Sequence, residues 1–266
     1  MNVLKSEWIK LKSVRSTWIS LVLIFAIVVL NVISISGSTP FTFTHRGEFW
    51  EFTRLVCAQT IIIVCGVITI IFATNEFDNG TINPSLLATP NRTFYFLAKG
   101  LMSSLYMTLV GTACMLLSFI LIYIGKNIRE HLTFNSFLKE FLYHFMGNFI
   151  FSILAFFLIA WIFHGIAMLS RKSTTALSAF FGILIAPLMV AATLGRIKGF
   201  IGDFVKFLYN LTPNEIFRNL TNAYGMYKKP PGEGTYIIWW QALLFIIGFA
   251  MIINIVSLFA FKKQEI

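Results

Sequence analysis

The 266-residue chain is 57% apolar and 12% charged, against about 45–50% and about 25% in soluble domains, and this excludes an ordinary water-soluble globule. Its net charge of +10 would suit a nucleic-acid binder if it were gathered on one polar face. The Lys and Arg instead sit between long apolar stretches, where they read as membrane flanks, and no nucleic-acid partner is expected.

Residues 3–15 repeat apolar side chains at helical spacing through Leu4, Trp8 and Leu11, with Lys5, Glu7 and Lys12 expected to turn elsewhere. Residues 1–16 therefore read as an amphipathic helix lying on a membrane, its basic face toward anionic lipid headgroups and Trp8 at the interface. Glu7, Trp8 and Lys10 are its candidate functional residues.

Six stretches free of Asp, Glu, Lys and Arg follow, at 18–37, 55–74, 101–124, 145–169, 176–194 and 237–261. A helix needs about 20 apolar residues to cross the hydrocarbon core. Runs such as Ile61-Ile62-Ile63-Val64 break the alternation a membrane barrel requires. The expected fold is an all-α membrane protein with six transmembrane helices, the whole of 1–266 forming one transmembrane domain. The first apolar run is longer than that of a cleavable signal peptide and reads as a span. Cys57, Cys65 and Cys114 fall inside spans with no metal-binding spacing. Pro187 and Gly182 are expected to bend the fifth span.

The basic residues Lys5, Lys10, Lys12 and Arg15 before the first span place the amino terminus in the cytoplasm, and six crossings return the carboxyl terminus to the same side. With these four counted, ten Lys and Arg fall on the inside and eleven on the outside, so the first helix and the short loops decide the orientation.

Residues 75–96 form a cytoplasmic loop and its flanks, between the second and third spans. Asn79-Gly80 signals a turn, Asn83-Pro84 can open a short helix, and Thr89-Pro90 ends it, so that Leu86 and Leu87 are presented on an isolated helical turn. These leucines suit either a groove on a soluble partner or the chain's own surface helix. Residues 195–236 are too long for a simple connection. They read as short extracellular helices, one of them starting at Thr212-Pro213-Asn214-Glu215.

No phosphate-binding G-x-x-x-x-G-K-[ST] loop occurs. A span without charged residues argues against an ion-coupled carrier, since relaying a charge at the midplane needs a compensating group. His164 and carbonyl-bound Na⁺ keep that alternative open. A membrane-embedded enzyme would need an acid, base, nucleophile or metal set, and none is evident. Asn31, Gln59, Asn148 and Asn254 are candidate pathway-lining groups, with interhelical hydrogen bonding as the commoner role for such side chains.

The opening Leu4-Lys5-Ser6-Glu7-Trp8-Ile9-Lys10-Leu11-Lys12-Ser13, then Glu76, Gly80-Thr81, Leu86-Leu87, Thr89-Pro90-Asn91-Arg92 and Lys99, resemble the permease subunits of ABC-2-type ATP-binding-cassette transporters, especially the peptide-antibiotic (lantibiotic) export and immunity branch. Arg171-Lys172-Ser173 is similar to that family's short cytoplasmic turn. The resemblance implies that the 75–96 loop carries a coupling helix seated in a cytoplasmic ATPase. Glu76, Gly80, Thr81, Leu86, Leu87, Pro90 and Arg92 would serve that coupling, with Arg92 facing acidic groups of the ATPase or Glu76. It further implies a non-catalytic subunit of a bacterial cytoplasmic-membrane exporter. ATP and Mg would be bound by the partner, two ATPase subunits would join this chain and a second copy or paralogue, and the cargo would be a toxic peptide or lipid-like molecule.

Overall fold

The computed structural model describes residues 2–13, 15–38, 48–82, 91–130, 146–194, 202, 204, 209, 212–221 and 239–263. Every regular element among them is a helix: α1 (Asn2–Ser13), α2 (Arg15–Ser38), α3 (Glu48–Asp78), α4 (Arg92–Glu130), α5 (Met146–Ser170), α6 (Ser173–Leu194), α7 (Pro213–Thr221) and α8 (Trp239–Lys262). Apolar side chains this dense leave the backbone no water to bond, and a helix satisfies its own N–H and C=O groups. Among the described residues, four helices are long and apolar enough to cross a membrane: Thr60–Asp78, Arg92–Leu121, Phe149–Ser170 and Trp240–Lys262. A fifth is added if the bent pair Val3–Ser13 and Thr17–Ile33, which meet at 63°, counts as one span. The helix Ser173–Pro187 is apolar but shorter, and α6 continues through Pro187.

The helix α5 is the axis of the bundle, packed by α3, α4, α6, α7 and α8. Lipid offers no hydrophobic driving force between helices, so close approach and hydrogen bonds must hold them together. Glycines supply the approach. A Cβ on Gly66 of α3 would stand 2.6 Å from Phe180 of α6 and 2.9 Å from Phe163 of α5, and one on Gly111 of α4 would stand 2.6 Å from Phe156 of α5. Between α5 and α8 the notch is Gly165, where a Cβ would meet Ile253 at 2.4 Å. There Ser257 Oγ donates to the Gly165 carbonyl at 2.7 Å, and Asn254 Nδ2 donates to the Trp161 carbonyl at 2.9 Å. Gly165→Leu is expected to separate α8 from α5 and break both bonds, costing about 1–3 kcal/mol or more. The measurement is the thermal midpoint of the detergent-solubilised protein, with Gly165→Ala falling between the two. An unchanged midpoint for the leucine variant would refute this packing.

The segment expected to start a helix at Thr212 does so. Pro213 occupies the first helical position, and the backbone N–H of Glu215 donates to Thr212 Oγ1 at 3.4 Å. Rather than resting on the surface, α7 is wedged against α3, α5 and α8. Its Ile216, Phe217 and Leu220 are buried, and the Phe217 ring packs tilted against Phe156 with centroids 4.8 Å apart.

The inward face of α1 comprises Leu4, Glu7, Trp8 and Leu11, and it packs on the bundle. This corrects two expectations: the apolar stripe meets protein, and Glu7 lies within the stripe, 1% exposed. Lys5, Lys12 and Arg15 are on the outside. Lys12 Nζ stands 5.1 Å over the Trp8 ring, and Trp18 Nε1 donates to the Lys12 carbonyl at 2.8 Å, closing the corner between α1 and α2.

Candidate functional site

The two stems of the 75–96 loop are built by local capping. At the end of α3, Gly80 adopts φ 66°, a left-handed conformation glycine takes without a Cβ penalty. The N–H of Gly80 then reaches the Phe77 carbonyl at 3.2 Å and that of Thr81 the Glu76 carbonyl at 2.9 Å, the paired bonds of a Schellman cap. This is the physical content of the Glu76-x-x-x-Gly80-Thr81 spacing. Asp78 Oδ1 accepts from the Ser173 N–H at 3.3 Å, tying the 171–172 turn to the same stem. At the start of α4, Asn91 Oδ1 accepts from the Thr93 N–H at 2.9 Å and caps that helix.

Because α3 and α4 pack side by side, Glu76 meets Tyr95 and Lys99, one helical turn apart on the opposite stem. The Tyr95 hydroxyl donates to Glu76 Oε2 and accepts from Lys99 Nζ at 3.0 Å. Lys99 Nζ is 3.5 Å from Glu76 Oε1 and is also held over the rings of Tyr95 and Phe72, at 5.2 and 5.4 Å. Such faces attract a desolvated cation, and Lys99 is 1% exposed. From α1, Lys10 Nζ reaches Glu76 Oε1 at 2.6 Å and Glu7 Oε1 at 2.7 Å. Two carboxylates and two ammonium groups thus form one neutral, largely buried cluster that joins α1, α3 and α4. Burial by itself would lower the pKa of Lys10, but its hydrogen bonds to Glu7 and Glu76 outweigh that and raise it, so the side chain is charged at neutral pH.

An aromatic floor lies beside the cluster. Phe261, near the end of α8, stacks on Tyr95 at 6.0 Å and meets Phe77 edge-on at 6.3 Å. Arg92 Nη1 donates to the Lys262 carbonyl at 3.4 Å. Both loop stems, α1, the end of α8 and the α5–α6 turn therefore meet at one end of the bundle.

Of the residues singled out in the sequence, Glu7, Lys10, Glu76 and Lys99 come together in this cluster, Gly80 and Thr81 form the cap beneath it, and Arg92 lies at its edge. Trp8 packs beside it, half-buried. Leu86, Leu87 and Pro90 lie outside the described residues, as do the side chains of Gln59 and Asn148. Asn31 is half-buried on α2, and the Asn254 amide nitrogen is engaged by the Trp161 and Ala250 carbonyls. His164 is fully buried, edge-on to Phe96 and Trp161. Tyr95 and Phe261 were not foreseen. A tyrosine four residues before the only lysine of an otherwise apolar stretch was the available signal for the first.

A bundle of long, charge-poor helices with a buried ionic cluster beside the capped stems of one loop defines a multi-pass α-helical membrane protein. Residues 3–186, more than half of the chain, match the model of the ABC-2 family transporter protein, and the chain belongs to that family. It is a membrane component of an ABC transporter, a class that is generally non-catalytic. No curated protein matches the chain significantly.

Proposed function

We propose that this chain is the permease of an exporter that moves amphipathic cargo, a toxic peptide or lipid-like molecule, out of the cell or membrane. It acts with two separate ATPase subunits, which bind the ATP and Mg, and with a second permease copy or paralogue. In this reading the chain crosses the bacterial cytoplasmic membrane six times. Four described helices supply four crossings, and α2 and α6, charge-free beyond Arg15, supply the other two. Both termini, the 75–96 loop and the 171–172 turn then face the cytoplasm.

One observation carries the proposal: the ionic cluster binds both stems of the loop to α1, while Phe261 and Arg92 bind them to α8. A push on Leu86 and Leu87 by a closing ATPase is passed to α3 and α4, and the elements fixed to those stems move with them. A rigid, neutralised junction transmits such a displacement, where a solvated linker would absorb it. At the opposite end, α7 is wedged among α3, α5 and α8 and supports the reading of 195–236 as an outer lid.

The test is purification of the chain from its native membrane in mild detergent. An ATPase is expected to co-purify, with its ATP hydrolysis stimulated by amphipathic peptides or lipids. Ion-driven transport by the chain alone in liposomes, with no ATPase bound, would instead establish a secondary carrier.

A further inference from the structure

We infer that α1 is a reversible latch, released from the loop stems and redocked as a unit, and that the charge arrangement of the cluster is what makes release possible. The cluster divides into two halves, each neutral by itself. Glu7 and Lys10 both belong to α1 and are paired at 2.7 Å. Glu76 and Lys99 belong to the stems and are paired at 3.5 Å, with Tyr95 bonded to both. Among the described residues, the one ion pair that crosses between the halves is Lys10–Glu76 at 2.6 Å.

Opening that contact leaves no buried charge without a counter-charge, the condition that makes most buried ion pairs prohibitive to separate. Two further observations favour an open state. Glu7 Oε2 is buried with no hydrogen-bond partner among the described residues, and release hydrates it. Leu4, Trp8 and Leu11, which α1 withdraws from the bundle, form a single stripe that an interfacial helix can lay into the lipid headgroup boundary. Lys10, the bridging group, is 42% exposed where Glu7 is 1%, so water already reaches the bond that must break.

The experiment places a reporter cysteine at Leu11, 2% exposed when docked, in the full chain with Cys57, Cys65 and Cys114 replaced by alanine. Labelling by a small membrane-permeant maleimide in open membrane vesicles, which reaches a thiol at the headgroup boundary as well as in water, reads the fraction released. Lys10→Met leaves Glu7 buried without its cation, and labelling is expected to accelerate by about tenfold or more. Glu7→Gln/Lys10→Met removes the α1 half entirely and leaves Glu76 with Lys99; it loses the Lys10–Glu76 tie but no longer buries an unpaired carboxylate, and is expected to label at a rate between the parent and the single variant. No acceleration in the single variant, or equal acceleration in both, overturns the latch. Its place in a transport cycle rests on the permease reading and has a separate arm. With the partner ATPase present, ATP should change the labelling rate of the parent. An ATP-independent rate would remove release from the cycle, while ATP-driven export, measured in the same vesicles, judges the permease reading on its own.

Discussion

Glu76→Ala is expected to be the most damaging single substitution at the loop stems. It removes the acceptor shared by Lys10, Lys99 and Tyr95, and it takes from Lys99, 1% exposed, its ion-pair partner among the described residues. Stranding one member of a buried ion pair costs about 3–5 kcal/mol. Lys99→Met should cost less, because Lys10 remains on Glu76 and the methionine still fills the space between Tyr95 and Phe72. The double variant Glu76→Ala/Lys99→Met should recover most of the loss, since the remaining pair on α1 is self-neutral. The thermal midpoint in detergent gives this order. A double variant as unstable as Glu76→Ala would show that the carboxylate acts through packing and hydrogen bonding rather than charge.

The second large effect is expected on assembly. With Leu86→Asp or Leu87→Asp the permease should insert and fold normally yet lose its ATPase, affinity falling by about a hundredfold or more, because a charge placed in a desolvated groove costs several kcal/mol. Folding is spared because each stem is capped by its own residues, Gly80 and Thr81 on one side and Asn91 on the other. The same midpoint as the parent, together with loss of co-purifying ATPase activity, is the expected pair of results. A complex that stays assembled and active would refute the coupling role of these leucines.

These expectations differ in how far they were legible in the sequence. Gly80 could be placed in a turn because a left-handed residue after a helix favours glycine, a local constraint that spacing reveals. The helix beginning at Thr212-Pro213 was equally local. Glu7 was not legible: a carboxylate at position 7, between Leu4 and Leu11, falls on the apolar face by helical geometry, yet a charge there looks like an exception until its neutralising partners are known. Its counter-ion Lys10 is local, but Lys10 is fixed in turn by Glu76, 66 residues further along the chain. Asn254 could equally have lined a path, and only the close approach at Gly165 shows its amide nitrogen committed to the α5–α8 contact.

The sequence by itself determined that this protein lives in a membrane and that its backbone is helical, and its opening helix and central loop resemble those of ABC-2 permeases. The first two follow from composition and period, which act within a few residues along the chain; the third is a likeness of motifs. Only the tertiary structure decided which charges neutralise one another. A lysine in an apolar helix is tolerable only where a carboxylate from elsewhere reaches it, and the packing of α1, α3 and α4 brings Glu7, Lys10, Glu76 and Lys99 to one place.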